Sequence, residues 1–355
     1  MVEKQDIRVL SLAGIEQFFS DKNEKAFRAH QVYEWIWKKH CGSFHEMTNL
    51  PIRSRELLGE HFIFPRLQED LVIQSRDGTV KTTFRLPDGA LIESVLIPSG
   101  GRTTACISSQ AGCALACSFC ATGKLGFSRN LKFTEIVDQV ILLGRQSEKY
   151  HGQPLSNIVY MGMGEPLLNY EEVIRSVDKI TAEDALGMSP QRLTISSVGI
   201  PEMIRKMGDD QVRAHFALSL HAATDLKRNQ IIPVNKRYPL KEISAALKYY
   251  HTKTGKRFTI EYILFRNFND SLADAADLAV FCKSFPVKVN LLDYNPVEGS
   301  VYQQTEPQKM NDFRDYLLKK NMVVNIRKSR GKDIAGACGQ LALSRKTGAE
   351  QNVKG

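Results

Sequence analysis

Cys113-Ala-Leu-Ala-Cys117-Ser-Phe-Cys120 sets three cysteines in a Cys-x3-Cys-x2-Cys array, directly behind the apolar, β-branched run from Thr103 to Ser109. A strand that empties into a loop of closely spaced thiols is a ligand site of the βα kind, where ligands gather at the carboxyl ends of strands. Three thiolates cannot serve all four irons of a cubane cluster, so one iron would stay open to a further ligand. The competing reading is structural zinc. Zinc takes four ligands, commonly as paired Cys-x2-Cys or Cys/His sets, and Cys41, Cys106, Cys282 and Cys338 supply no second Cys-x2-Cys. Seven cysteines spread over 355 residues do not read as a disulfide framework.

Outward from that loop the chain alternates strand and helix. Candidate strands are 103–109, 157–162, 192–197, 214–220, 258–264 and 288–294, with 322–328 as a last edge strand. Helical patterns lie between them; one runs over 134–146 with Thr134 as its expected N-cap. Repeated βα units predict an α/β fold with a parallel sheet. Six units fall short of eight, so the expected architecture is an open, partial (βα)6 barrel over 103–345. Before it, Asp77-Gly78 and Asp88-Gly89 are hairpin turns in a β-meander or linker over 66–102. Residues 1–65 read as a small helical accessory domain, in which Trp35, Ile36 and Trp37 are expected to pack between helices. The polar segment 346–355 reads as a mobile tail.

Charged residues make up 25 % and the apolar set 43 %, an ordinary globular composition. No apolar run reaches the length of a membrane span. The amino terminus is polar and lacks the apolar stretch of a secretory leader, so cytoplasm is the expected compartment. A net charge of +9 favours a polyanionic partner. Two basic runs stand out, Arg327-Lys328-Ser329-Arg330-Gly331-Lys332 and the cluster Lys253, Lys256, Arg257. No heptad pattern demands a partner chain, and a monomer is expected.

Several polar residues fall at the ends of the expected strands. Gly162-Met-Gly164-Glu165 follows the second, Ser196 and Ser197 end the third, Ser219-Leu220-His221 ends the fourth, and Asn295 follows the sixth. Their shared position is more telling than any one of them. Glycines let the backbone approach a ligand, and Glu165 could accept hydrogen bonds from an ammonium group; the plain alternative is a tight turn with a solvated carboxylate. His221 is a contact candidate, not a catalyst. Cys338 sits among small residues, Ala335-Gly-Ala-Cys338-Gly, which would let a bulky partner reach its sulfur. Cys106 reads equally as a packed strand residue.

The array with an aromatic before its last cysteine (Phe119) resembles the signature of radical S-adenosylmethionine (SAM) enzymes. Four further runs, MGMGEPLLN (161–169), SLHAATD (219–225), YNPVEGS (294–300) and RGKDIAGACGQL (330–341), join it in an order that resembles the RlmN/Cfr family of RNA adenosine methyltransferases. The resemblance covers nearly the whole chain, and the Pro-Leu-Leu-Asn continuation after Glu165 is closer to the RlmN branch.

That resemblance implies a radical-SAM barrel with a [4Fe-4S] cluster on Cys113, Cys117 and Cys120. It implies SAM contacts at Gly164, Glu165, Ser196, Ser219, Leu220, His221 and Asn295, with Ser197 as the alternative to Ser196 because the run after the third strand is one residue short of the family pattern. It also implies methylation of carbon 2 of adenosine in 23S rRNA and, in some members, tRNA. Two SAM molecules are used: one methylates Cys338, the other yields a radical that takes a hydrogen from the new methyl group. Cys106 then forms a disulfide with Cys338 and releases the product, with Glu93 as the candidate proton acceptor. Glu93 also reads as an outward-facing strand carboxylate. An electron donor such as flavodoxin or ferredoxin is implied, and the N-terminal domain would bind RNA. The alternatives are a Cfr-like carbon-8 methyltransferase and a non-catalytic RNA-binding protein with a structural metal.

Overall fold

The computed structural model describes residues 4–343. The expected tail, and residues 344 and 345 of the expected catalytic segment, lie outside the described residues.

The chain begins with a small helical unit: β1 (Gln5–Asp6), α1 (Leu12–Asp21), α2 (Arg28–Trp37), α3 (Ile52–His61) and β2 (Phe62–Ile63), which pairs in parallel with β1. Ser11 starts α1 by accepting the amide of Gly14 at 3.1 Å. Ile36 and Trp37 are buried as helix packing requires. Trp35 is half-buried; its indole N–H donates to Asn49 Oδ1 at 2.6 Å, and Lys39 lies over its ring at 4.3 Å. Arg8, 3 % exposed, grips both carboxylate oxygens of Asp138 at 2.8 Å and is held by Asp6 as well. Asp138 lies on α5 (Phe133–His151), so this buried ion cluster fastens the helical unit to the body of the protein.

Next come β3 (Gln68–Gln74), β4 (Val80–Arg85) and β5 (Leu91–Ser99), an antiparallel meander turning at Gly78 and Gly89, whose φ angles are +85° and +86°. The meander continues the main sheet. β6 (Arg102–Cys106) pairs antiparallel with β5 on one side and parallel with β9 (Asn157–Tyr160) on the other. After α6 (Tyr170–Thr181) the chain continues through β10 (Leu193–Ser197), α7 (Pro201–Asp209), β11 (His215–Ser219), α8 (Asp225–Ile231), α9 (Leu240–Thr254) and β12 (Phe258–Leu264). It closes with α10 (Leu272–Cys282), β13 (Val287–Asp293), α11 (Pro307–Lys319) and β14 (Val323–Arg327). The ten strands run β14-β13-β12-β11-β10-β9-β6-β5-β4-β3. From β6 to β14 every neighbouring pair is parallel, with helical crossovers between, which is the expected partial barrel with its added edge strand.

Two local expectations shift. The first barrel strand stops at Cys106 because the amides of Ser109 and Gln110 both turn to the carbonyl of Met163, at 2.9 and 3.2 Å. The chain then forms a short hairpin, β7 (Gln110–Gly112) with β8 (Phe127–Asn130), around the three-cysteine loop and the single-turn helix α4 (Ala121–Leu125). Helix α5 starts at Phe133, with Lys132 and not Thr134 as its N-cap. The side chain of Glu135 reaches back to the Lys132 amide at 2.8 Å, half of a capping box. No helix among the described residues is long and apolar enough to cross a membrane.

Candidate active site

A cavity of about 500 Å³ opens at the carboxyl ends of the parallel strands. Cys113, Cys117 and Cys120 form one part of its wall, and Cys106 and Cys338 line it too. The cysteine loop is shaped by close backbone contacts. At Gly112 (φ +78°) a Cβ would fall 2.0 Å from the carbonyl oxygen of Gly126, so only glycine fits there. The Cys113 amide donates to that same oxygen at 2.8 Å, and the Ser118 amide donates to Ile231 O at 3.0 Å, at the end of α8. Phe119 packs edge-on against His221, ring centres 5.0 Å apart.

Burial pushes the Cys113 thiol up to about 11 and that of Cys117 well above its usual range, and their neighbouring thiols add to it. Such sulfurs would become stable thiolates beside a bound metal centre, because a coordinating thiol is deprotonated outright. Among the described residues no three His, Cys, Asp or Glu side chains close on a point where a single ion would sit. Structural zinc takes four protein ligands, whereas three thiolates leave a cubane one open iron, so the donor set on this wall suits a cluster.

The strand-end loops supply the rest of the wall. At Gly164 (φ +97°) a Cβ would meet Gln110 Cβ at 2.5 Å, and at Gly162 it would meet Ile107 O at 2.7 Å. These glycines let the β9 loop lie against the segment after β6, and both line the cavity. Glu165 is buried but lines the cavity, and burial raises it. Its Oε1 accepts the Leu167 amide and its Oε2 the Val198 amide, each at 3.0 Å, so the carboxylate staples two strand-end loops. Ser196 and Ser197 both reach the cavity. Ser196 Oγ lies 3.1 Å from Ser219 Oγ, whereas Ser197 Oγ is engaged by the Gly199 amide at 2.9 Å; the Ser196–Ser219 hydroxyl pair is the freer of the two for a ligand. His221 adopts φ +57° and accepts the Ile263 amide on Nδ1 at 3.1 Å. Burial, with the Arg228 charge nearby, lowers it to about 3, so it is a neutral ring and no acid–base group near pH 7.

Three expected residues are not on the cavity wall. Leu220 is a core side chain whose amide donates to Glu261 O at 3.0 Å and whose carbonyl is taken by Arg228. Asn295 sits just behind the wall; its Nδ2 donates to Ser329 Oγ at 3.0 Å and lies 3.4 Å from Cys338 O, while its buried Oδ1 has no partner. An orphaned buried acceptor fits a ligand that brings a donor. Glu93, 1 % exposed, is not the outward-facing carboxylate of the alternative reading. It pairs with buried Lys81 at 3.3 Å, and its Oε2 accepts the Ala342 amide at 3.0 Å.

Cys106 is 6 % exposed, and burial together with the nearby Cys338 raises its thiol far above the usual range. Cys338 keeps an exposed surface although its thiol is raised by burial. The two fit together because Cys338 lines the cavity: its open surface is the cavity's own. The expected disulfide is not formed, and all seven cysteines are free. A sulfur that is to carry a methyl group must first be a thiol, so the pairing is no standing bond of this fold.

Two residues at and behind the cavity wall were not singled out, on strand 258–264 and in the helix after His221. Glu261 lines the cavity while 5 % exposed, held by Asn290 Nδ2 at 2.8 Å. Arg228 is fully buried behind the wall; desolvation lowers it to about 10, which leaves it charged at pH 7. Of the two basic runs, Arg327, Lys328 and Arg330 line the cavity, whereas the Lys256 ammonium is spent on Val212 O at 2.7 Å.

A partial βα barrel with a three-cysteine loop after its first strand defines a radical SAM protein, and the Radical SAM superfamily model matches residues 107–279. The model described as "Ribosomal RNA large subunit methyltransferase N-terminal domain" matches residues 6–63. A protein of Flavobacterium johnsoniae named "Probable dual-specificity RNA methyltransferase RlmN" is 48 % identical, covering 96 % of this chain and 98 % of that one. A protein of the same printed name from Thermotoga neapolitana is 45 % identical over 90 % and 92 %. The crystal structure of a radical SAM methyltransferase from Sphaerobacter thermophilus superposes with a TM-score of 0.90 at 37 % identity, over 95 % of this chain and 99 % of that one. The chain belongs to the RlmN family of radical SAM RNA methyltransferases. Its cofactors are accordingly a [4Fe-4S] cluster and SAM.

Proposed function

We propose that this protein methylates carbon 2 of adenosine in 23S rRNA and in tRNA, with Cys338 as the methyl carrier. The observation that carries the reading is the meeting of two sulfur sets at one cavity: Cys113, Cys117 and Cys120 on one part of the wall, Cys106 and Cys338 on another. Carbon 2 of adenine is an electron-poor C–H carbon, so polar methyl transfer from SAM fails there. The bound cluster and SAM would supply a carbon radical by reductive cleavage.

The chain's own residues do the rest. Cys338 attacks the methyl carbon of a first SAM and displaces S-adenosylhomocysteine, losing its proton as the S–C bond forms. Methylated Cys338 gives up a hydrogen atom, the resulting S-bound carbon joins adenine carbon 2, and the odd electron left on that adduct would return to the bound cluster. Glu93 takes the proton that carbon 2 must lose, and the segment around Ala342 has to move for it to do so. Cys106 then attacks the Cys338 sulfur and breaks the S–C bond, its thiol proton passing to the freed methylene carbon to complete the methyl group, and leaves a disulfide that an external two-electron reductant resets. Glu165, Ser196, Ser219 and Asn295 are assigned to holding SAM. The N-terminal helices and Arg327, Lys328 and Arg330 are assigned to RNA. A flavodoxin or ferredoxin would supply the electron for SAM cleavage, and a cytoplasmic monomer is the assigned state.

The test is expression in a bacterium lacking its own adenosine carbon-2 methyltransferase, with nucleosides of rRNA and tRNA read by mass spectrometry. 2-Methyladenosine that vanishes in Cys338→Ala is expected. 8-Methyladenosine, or full methylation by Cys338→Ala, would overturn the assignment.

A further inference from the structure

Among the described residues Arg228 is the largest charged side chain that is fully buried, at 0 % exposure, and the roles assigned above do not use it. Its guanidinium meets no carboxylate directly. Nε donates to Leu220 O at 3.0 Å, Nη1 to Asn235 Oδ1 at 2.5 Å, and Nη2 to Val198 O and, at 3.3 Å, to Ser219 O. Every acceptor is neutral, so the charge is solvated by dipoles and not cancelled by a contact ion. Asp225 is linked to it only through Asn235, whose Nδ2 donates to Asp225 Oδ1 at 2.8 Å.

The acceptors share a location. Val198 follows β10, and Ser219 and Leu220 end and follow β11. These are the two strand ends that deliver Ser196, Ser219 and His221 to the cavity. The helix that carries Arg228, α8, also touches the cysteine loop: the Ser118 amide donates to Ile231 O at 3.0 Å, and Cys117 and Phe119 pack in one apolar cluster with Ile231 and Ile232. A fixed positive charge therefore lies in the same small body as the cluster-bearing sulfurs and the strand ends that receive SAM.

We propose that Arg228 is a positioning residue with two effects: its charge raises the reduction potential of the cluster, and its fork fixes the two strand ends that receive SAM. Adding an electron to a thiolate-ligated cluster adds negative charge in a medium of low dielectric, where a permanent cation favours the reduced form. The fork ties two loops from different strands through one planar group, which a lysine ammonium cannot copy. The inference rests on Cys113, Cys117 and Cys120 being the cluster ligands.

The test uses the anaerobically reconstituted full-length protein and three variants, Arg228→Met, Arg228→Gln and Arg228→Lys. Iron and sulfide per chain are measured first, then the cluster potential by spectroscopic titration, then SAM affinity. In Arg228→Met and Arg228→Gln the reduced-to-oxidised ratio at a fixed poise should fall about tenfold, a shift of about 59 mV for one electron. Arg228→Lys should keep the parent potential and lose SAM affinity about tenfold. An unchanged potential in a loaded neutral variant overturns the charge effect, and parent SAM affinity in Arg228→Lys overturns the fork. If neither neutral variant holds iron, Arg228→Lys decides: a shifted potential despite the retained charge refutes the proposal, and the parent value supports it. A parent protein without iron and sulfide would sink the cluster reading itself, a separate result.

Discussion

Replacing Lys81 by methionine should strand the Glu93 carboxylate. The two side chains are 4 % and 1 % exposed and lie 3.3 Å apart. After the change Glu93 keeps its bond from the Ala342 amide, one donor for a full buried charge. Removing one partner of a buried pair costs about 3–5 kcal/mol, because the surviving charge has no counter-ion. Unfolding entropy of roughly 2.1 cal/mol/K per residue gives about 0.75 kcal/mol/K for 355 residues, so each kcal/mol moves Tm by about 1.3 °C. Lys81→Met should therefore lower Tm by about 4–7 °C in differential scanning calorimetry. Adding Glu93→Gln removes the stranded charge, and the double variant should recover more than half of that loss. The coupling is read directly from the cycle of two single variants and the double one. A fall of under about 1 °C for Lys81→Met, or no recovery in the double variant, would refute the claim that the pair is held as ions.

His221 gives a pH signature: its value is about 3 in the folded protein against 6.5 ordinarily, so the unfolded chain takes up a proton first and stability is lost as pH falls below 6.5. The loss is about 1.4 kcal/mol by pH 5.5, and His221→Gln should flatten that part of the Tm–pH profile; an unchanged slope would remove His221 as its source. Lys328 lines the cavity, so Lys328→Ala should reduce the slope of log K for RNA against log salt by about 0.7–0.9, while Lys256→Ala should leave it unchanged. Equal effects of the two would show that RNA does not discriminate the basic runs.

The barrel was legible because alternating strands and helices leave a strong periodic trace, and the cavity because its polar residues recur at strand ends. What escaped the sequence was burial on a second face. Glu93 follows the two-residue alternation of β5, which reads as one wet face and one dry one. In the structure Ser94 Oγ bonds Gln139 on α5 at 2.8 Å, and Glu93, on the opposite face, meets the segment at Ala342. Both faces of β4 and β5 are covered, so alternation could not sort inside from outside. Lys81 stands opposite Val95, two residues on from Glu93, a diagonal pair visible only once the register is known. Glu261 did leave a signal, as the lone carboxylate in the apolar run FTIEYIL. Arg228 left none: in DLKRNQI it reads as one more charge on an exposed helix.

The placement of Cys338 follows from how many separate parts of the chain hold its loop. Gly339 O accepts the amide of Ala121, the residue after Cys120, at 2.7 Å, and Leu341 O accepts Thr122 Oγ1 at 2.7 Å. Gln340 reaches Pro296 O at 3.0 Å. On the meander side Gly331 donates to Asp77 Oδ2 at 2.9 Å, and Ser75 donates to Asp333 at 2.5 Å. The loop has little secondary structure of its own, a three-residue turn at Lys332–Ile334, so these borrowed partners fix it. Because the Ala121 bond begins one residue past Cys120, the distance from the Cys338 sulfur to the three-cysteine loop is set by short covalent and hydrogen-bonded paths. On the function proposed above, a carbon radical formed at that loop would be too reactive to travel, and its target would have to be held beside it. The meander supplies the opposite anchor: the turn between β3 and β4 holds the loop that carries Cys338 through Ser75 and Asp77, and Glu93 on β5 holds its end through the Ala342 amide.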